Sequence, residues 1–295
     1  MDALILAGGR EKSFSKDNAM DAAFAINGES MLDRVVQAIA GTHHFDRIIV
    51  VGLREALSLE NHGLVSTFIE PQATMVENLQ AGLKTVNPDQ LVLITASDIP
   101  LLNNGAVESF LQQCAVRPDA QIYYPVIPQE AFGGGSHKIR RTFLRLRDGV
   151  FTGGNMVLAR PKLILEHMDL VSRIIELRKY PQQWGKLFGW GHFTKGLLLG
   201  ATLSDIERWV EERLKIKGVA VRCHSLGIGL DADTKEDIDW IRFYWGGAND
   251  QSADLQNLIS IVESLQIQIR GGDLRKVQIK VVLEAGKPMI VAIER

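Results

Sequence analysis

Cysteine is scarce in this 295-residue chain, with only Cys114 and Cys223, far apart and outside any C-x-x-C spacing. That points away from a disulfide framework or a thiolate metal site and towards free thiols in a reducing compartment. No apolar run reaches the ~20 residues that a membrane helix requires. The first strand signal begins almost at Met1, so no secretory leader is expected. A formal net charge of −2 lacks the basic excess that marks bulk nucleic-acid binding. The seven histidines show no metal-ligand spacing, and the glycines match neither G-x-G-x-x-G nor G-x-x-x-x-G-K-[ST]. The expectation is a cytoplasmic globular protein, 46% hydrophobic and 23% charged, with one large domain or one domain plus an appendage.

Alternating strand and helix signals make up most of the chain. Ala3–Ala7, Arg47–Val51, Thr67–Ile69 and Leu91–Thr95 are short apolar runs without alternation, as expected of strands buried on both faces. Ser30 can cap a helix that buries Met31, Leu32, Val35, Val36 and Ile39, and Met75–Val86 carries a second apolar face. Such alternation predicts βαβ units with right-handed crossovers and a mainly parallel sheet. Val107–Cys114 predicts a further helix, Gln121–Val126 and Val219–Cys223 further strands, and Met156–Ala159 is an apolar run. Between them lie a glycine-rich loop at Ala131–Ser136 and a basic run, Lys138–Arg147. Residues from about 161 to 215 read as a helical insertion, broken once at Tyr180-Pro181. Within it, Trp184–Leu199 is amphipathic and aromatic. Lys235–Tyr244 reads as a helix that closes a first domain at about residue 245. A linker at Gly246–Asp250 then leads to a small α+β module, 250–295, with a helix at Asp254–Leu265 and three strands. So small a unit is near the lower limit for folding alone, so docking or self-association through it is expected.

Two loops about ninety residues apart carry the sharpest chemistry. Leu6-Ala7-Gly8-Gly9-Arg10 ends a strand in two glycines and a cation, so backbone N–H groups can approach a phosphate, and Lys12 and Lys16 add charge. Ser97-Asp98-Ile99-Pro100 ends another strand in one carboxylate, suited to magnesium, which takes one or two carboxylates plus phosphate oxygens. The plainer reading of Asp98 is a cap for the helix near Asn104. Asp231 and Asp233 follow the strand-like Gly229-Leu230 and, two apart, face one way along an extended segment. They equally suit capping of the helix from Lys235, by Thr234 or Asp233. In the basic run, strand alternation would put Arg141, Phe143, Arg145 and Arg147 on one face. That face is either a solvated edge or a phosphate site of arginine forks.

These blocks resemble, in order, the MobA-like nucleotidyltransferases, the family of the molybdenum cofactor guanylyltransferase. The matching residues are Leu6-Ala7-Gly8-Gly9, Ile26-Asn27-Gly28 with Met31-Leu32, Glu70-Pro71 with Glu77-Asn78 and Gly82, and Ser97–Leu102. Later come Arg141-Thr142-Phe143 with Arg145, Thr152-Gly153-Gly154-Asn155, and Asp231–Asp237. The resemblance covers about residues 1–245. It implies a nucleotide-diphospho-sugar transferase-like fold, a three-layer α/β/α sandwich around a mixed, mainly parallel sheet. It implies NTP, with GTP the nucleotide of the name-giving member, held at Leu6–Arg10 with Asn78 and Gly82 near base and ribose. Magnesium would sit on Asp98 with Asp231 and Asp233, and the catalytic set would be Arg10, Lys16 and Asp98. A phosphorylated small molecule or cofactor precursor would meet Arg141, Arg145, Thr152, Gly153, Gly154 and Asn155. The family's lysine ahead of an apolar-Pro-apolar segment falls here on Asp21 or Ala22, with Lys16 several residues early. The readings are therefore nucleotidyl transfer with pyrophosphate release, a non-catalytic nucleotide sensor of the same fold, and, ranked last, a sugar-nucleotide-dependent glycosyltransferase.

Overall fold

A computed structural model describes residues 1–8, 25, 26, 28–132, 141–177, 200–246, 277–284 and 287–294. The chain divides into two compact units, Met1–Ile238 and Asp239–Arg295. In chain order the elements begin with β1 (Asp2–Leu6), β2 (Ala25–Ile26), β3 (Glu29–Ser30), α1 (Met31–Ala40), β4 (Arg47–Val51) and β5 (Thr67–Ile69). Next come α2 (Met75–Leu83), β6 (Val92–Ala96), α3 (Asn104–Ala115), β7 (Ile122–Pro128), β8 (Leu144–Leu146), β9 (Gly149–Gly153) and β10 (Met156–Ala159). Helices α4 (Pro161–Glu166), α5 (Met168–Leu177) and α6 (Leu203–Leu214) lead to β11 (Gly218–Arg222), α7 (Leu226–Gly229) and α8 (Lys235–Gly246). The second unit contains an antiparallel pair, β12 (Val277–Glu284) and β13 (Lys287–Glu294).

The first unit is a nine-stranded mixed sheet in the order β5-β4-β1-β6-β10-β7-β9-β8, with β11 on the free side of β7. Strands β5, β4, β1 and β6 run parallel, and β10 is antiparallel to both β6 and β7. The unbroken apolar runs have their expected cause. Along β1, Ala3 and Ile5 join one core with Leu32, Val35, Val36, Val107 and Phe110 of α1 and α3. Leu4 joins the opposite core with Leu79, Leu83 and Ile164 of α2 and α4, and Val171 and Ile175 of α5 pack against that core. The sheet is thus covered on both faces, and each fully buried aliphatic side chain contributes about 1.5–3 kcal/mol.

Local signals set the helix starts. Ser30 caps α1 by accepting from Asp33 N–H, and Thr74 with Glu77 forms a capping box on α2. Three expectations are corrected. Helix α2 stops at Leu83 rather than Val86. Of the basic run, Leu144–Leu146 alone is strand among the described residues, with Arg141–Phe143 ahead of it. The segment before the late aspartates is the short helix α7, and only Leu230 is extended. The aromatic stretch Trp184–Leu199, Tyr180-Pro181, and the helix and first strand expected at Asp254–Leu265 and Ile267–Arg270 lie outside the described residues.

Candidate active site

The order of the strands opens a crevice. The chain leaves β1 for β4 and β5 on one side and returns to β6 on the other, so the carboxyl ends of β1 and β6 are adjacent where the strand order reverses. That is where open α/β sheets bind ligands. Leu6 is in register with Ala96. Ser97 N–H donates to Leu6 O at 3.2 Å, and Ala7 N–H to Val51 O at 2.8 Å. Gly8 and Asp98 therefore lie side by side, each two residues past the last registered pair.

Gly8 is fixed by its surroundings. A Cβ there would stand 2.6 Å from Asn78 Nδ2 and 2.9 Å from Pro71 Cβ. Asn78, 3% exposed, donates from Nδ2 to Gly8 O at 3.4 Å and accepts from Gln72 N–H at 2.6 Å. Its side chain joins the loop after β1 to the loop after β5, a positioning contact made with backbone. Gly82 lies in α2, where a Cβ would approach Leu4 Cδ1 to 2.4 Å, so close helix–sheet packing accounts for this glycine. Gly9, Arg10 and Lys16 lie outside the described residues.

Three carboxylates converge at the crevice. One oxygen from each of Asp98, Asp231 and Asp233 lies within 4.8 Å of the others. One backbone contact explains this, since Ala232 N–H donates to Asp98 O at 2.8 Å. Ala232 is buried while Asp231 and Asp233 are half-buried, and this bond brings the two carboxylates beside Asp98. Capping duties lie elsewhere: Asn103 caps α3 by accepting from Ala106 N–H at 2.9 Å, and Thr234 exchanges hydrogen bonds with Asp237 at the start of α8. The cap of α3 is thus Asn103 rather than Asp98, and Thr234, one of the two expected candidates, caps α8.

Arg141 meets this cluster. Its Nη2 donates to Asp231 Oδ1 and its Nη1 to Gly153 O at 3.4 Å, and the side chain is one-tenth exposed. Gly153 ends β9, which with β10 forms a strand antiparallel to β7, interrupted at Gly154-Asn155. At the interruption Asn155 N–H donates to Ile228 O, and Asn155 O accepts from Ala96 N–H and Thr95 Oγ1. The break thus ties the end of β6 to α7, next to the aspartates. Thr152 is buried in register with Ile127, whereas Arg145 is exposed on β8, and Phe143 packs edge-on against Phe132. The structure therefore brings Asp98, Asp231, Asp233, Arg141 and the Gly153 carbonyl together, and Arg145 makes no contact with them.

Two positioning residues escape a sequence reading. Ala232 acts through its backbone, which no side-chain pattern marks. Gly227 sits where a Cβ would be 2.3 Å from Leu101 O, so α7 can press on the loop after Asp98; the glycine pair in Leu226–Leu230 was its signal. A shallow surface hollow bounded by Gln121, Arg208, Glu211, Glu212, Lys215 and Lys217 lies at the amino end of β7, across the sheet from the crevice, with charges of both signs.

The arrangement places the glycine end of β1 near convergent carboxylates and one guanidinium, and the carboxylates are the donor type of a hard-cation site. The fold is similar to that of a hypothetical transferase from Thermus thermophilus, with TM-score 0.69 and 30% identity, covering 80% of this chain and 98% of that one. It also shares its fold with a 2-C-methyl-D-erythritol 4-phosphate cytidylyltransferase from Francisella tularensis, with TM-score 0.51 and 14% identity, covering 82% and 98%. No curated protein matches by sequence. The family model of the MobA-like NTP transferase domain matches residues 3–188, well over half of the chain. This is an enzyme of the nucleotidyltransferase class, and the chain belongs to the MobA-like NTP transferase family.

Proposed function

We propose that the protein transfers NMP from an NTP to a phosphorylated small molecule with release of pyrophosphate, and that magnesium assists. The observation that carries this reading is the convergence of Asp98, Asp231 and Asp233 at the crevice beside the loop after β1. Three carboxylate oxygens so placed suit a hard cation that prefers oxygen ligands, and Asp98 with Asp231 and Asp233 would hold it. Bound there, magnesium would neutralise charge on the phosphates.

An oxygen of the acceptor phosphate attacks the α-phosphorus, the bond from that phosphorus to the β-phosphate oxygen breaks, and pyrophosphate leaves with the electron pair. No covalent enzyme intermediate is involved, so positioning and electrostatics supply the rate. Gly8 and Gly9 present backbone N–H groups to the phosphates, and Arg10 and Lys16 offset developing charge. Asn78 holds the phosphate loop in place, with Gly82 setting the helix that carries it. Arg141 and Arg145 orient the acceptor, beside Thr152, Gly153, Gly154 and Asn155. A cytoplasmic location, where NTPs and reduced thiols coexist, goes with this reading. Residues 250–295 stand outside the chemistry as a self-association or partner-binding module.

Pyrophosphate release is measured with each NTP, GTP first as the resemblance suggests, against a panel of phosphometabolites including pterin-type cofactor precursors. Turnover with one pair, lost by at least about a hundred-fold in Asp98→Asn, is the expected result. Unchanged turnover in that variant overturns the carboxylate assignment, and tight nucleotide binding without turnover across the panel supports a sensor instead.

A further inference from the structure

Arg141 sits on one of the carboxylates assigned above to magnesium, and this shared use has a consequence for how the site fills. Three carboxylates within 4.8 Å repel one another, and the guanidinium that pairs with Asp231 Oδ1 offsets part of that repulsion. A divalent cation would do the same at the same atoms. The two positive groups therefore compete for Asp231.

The guanidinium is also incompletely used. It carries five N–H donors. Its Nη2 reaches Asp231, its Nη1 makes a long contact of 3.4 Å with Gly153 O, and its Nε is buried with no hydrogen-bond partner among the described residues. A buried donor without a partner is unfavourable, and an arginine fork is satisfied by two oxygens of one phosphate. Arg141 lies outside any helix or strand, ahead of β8, so its side chain is not held by a backbone ladder.

We propose that Arg141 is a counter-ion latch on Asp231. It occupies that carboxylate until a phosphate group draws its fork away, so divalent cation and phosphate substrate bind cooperatively. The inference rests on the metal reading of the three aspartates. Because coupling between two ligands is reciprocal, the cation must raise phosphate affinity by the factor by which phosphate raises cation affinity. The latch would keep the site from holding metal tightly without substrate.

The test measures Mn²⁺ affinity of the full-length protein by electron paramagnetic resonance of free Mn²⁺, without nucleotide. Wild type, Arg141→Ala, Arg208→Ala and Asp98→Asn are compared, each with and without inorganic phosphate, with protein-free controls for solution complexes. Arg141→Ala is expected to bind Mn²⁺ about tenfold tighter than wild type, within the ~5–150-fold range of typical couplings. Arg208→Ala, the same charge change on the exposed face of α6, should move it by less than about threefold. Phosphate should tighten Mn²⁺ in wild type and have no such effect in Arg141→Ala. If the alanine variant does not fold, Arg141→Gln keeps the length and loses the charge, with the same expectation. Equal Mn²⁺ affinity in wild type and both Arg141 variants, with Asp98→Asn abolishing binding, overturns the latch and leaves the metal site standing. No Mn²⁺ binding by wild type or by either Arg141 variant, with or without phosphate, overturns both.

Discussion

The contact between Gly8 and Asn78 can be tested by a double-mutant cycle. Gly8→Ala puts a methyl group 2.6 Å from Asn78 Nδ2 and 2.9 Å from Pro71 Cβ, both well inside van der Waals contact. Asn78 cannot yield cheaply, because it is 3% exposed and anchored at both ends, to Gly8 O and to Gln72 N–H. Overpacking of this kind costs ~1–3 kcal/mol. If the amide is pushed aside, the Gln72 N–H loses its 2.6 Å acceptor at a further ~1–3 kcal/mol. Asn78→Ala alone costs ~1–3 kcal/mol for the same lost acceptor. In the double variant the methyl group enters the space vacated by the amide, and the loss at Gln72 is counted once. The double variant should therefore be less destabilised than the sum of the singles by ~1–2 kcal/mol, well above the ~0.3–0.5 kcal/mol scatter of independent sites. Denaturant midpoints at unchanged slope provide the measurement. Additivity within ~0.5 kcal/mol would refute the account of Asn78 as the residue that forces glycine at position 8.

Other expectations concern the buried ionisable groups and the second unit. Burial alone would raise the Asp33 pKa, but hydrogen bonds from Asn61, Ser30 and Ser58 outweigh it and hold the carboxyl below its ordinary value. A depressed folded pKa contributes stability that is present above the unfolded value of ~3.9 and lost as pH falls through the folded one. The stability gap between wild type and Asp33→Asn should thus be constant above about pH 5 and shrink in acid; a gap that widens in acid contradicts the network. Cys114 and Cys223 are buried, and burial pushes both thiols up to about 12. Neither should react with a thiol reagent at pH 8 in the folded protein, both should react in denaturant, and rapid labelling of the native protein would contradict their burial. Deleting residues 250–295 should alter the oligomeric state or solubility and leave nucleotide affinity intact; lost affinity with an unchanged oligomeric state would assign residues 250–295 to the site.

Much of the sheet was legible because its determinants are local. β4 and β5 begin and end at the residues expected from runs of β-branched and aliphatic side chains, and Ser30 marks the start of α1. The resemblance carried the order of the blocks and hence the family. Helix ends were less legible, since α2 could have continued to Val86 by pattern alone and stops at Leu83. The basic run misled for a related reason: alternation predicts a strand wherever a partner is available, and a three-residue stretch, Leu144–Leu146, pairs, with β9.

The sequence by itself determined that Gly8 and Asp98 end two buried strands, because a run of apolar residues terminated by glycine or aspartate is readable from neighbouring positions. Tertiary structure alone decided what meets them. Asp231 and Asp233 reach Asp98 through the bond from Ala232 N–H to Asp98 O, Arg141 reaches Asp231, and Asn78 is spent on Gly8 and Gln72. Of these, only the bond from Gln72, six residues from Asn78, is local, and the others join segments far apart in the chain. Those others depend on strand order and register, which one-dimensional periodicity does not encode.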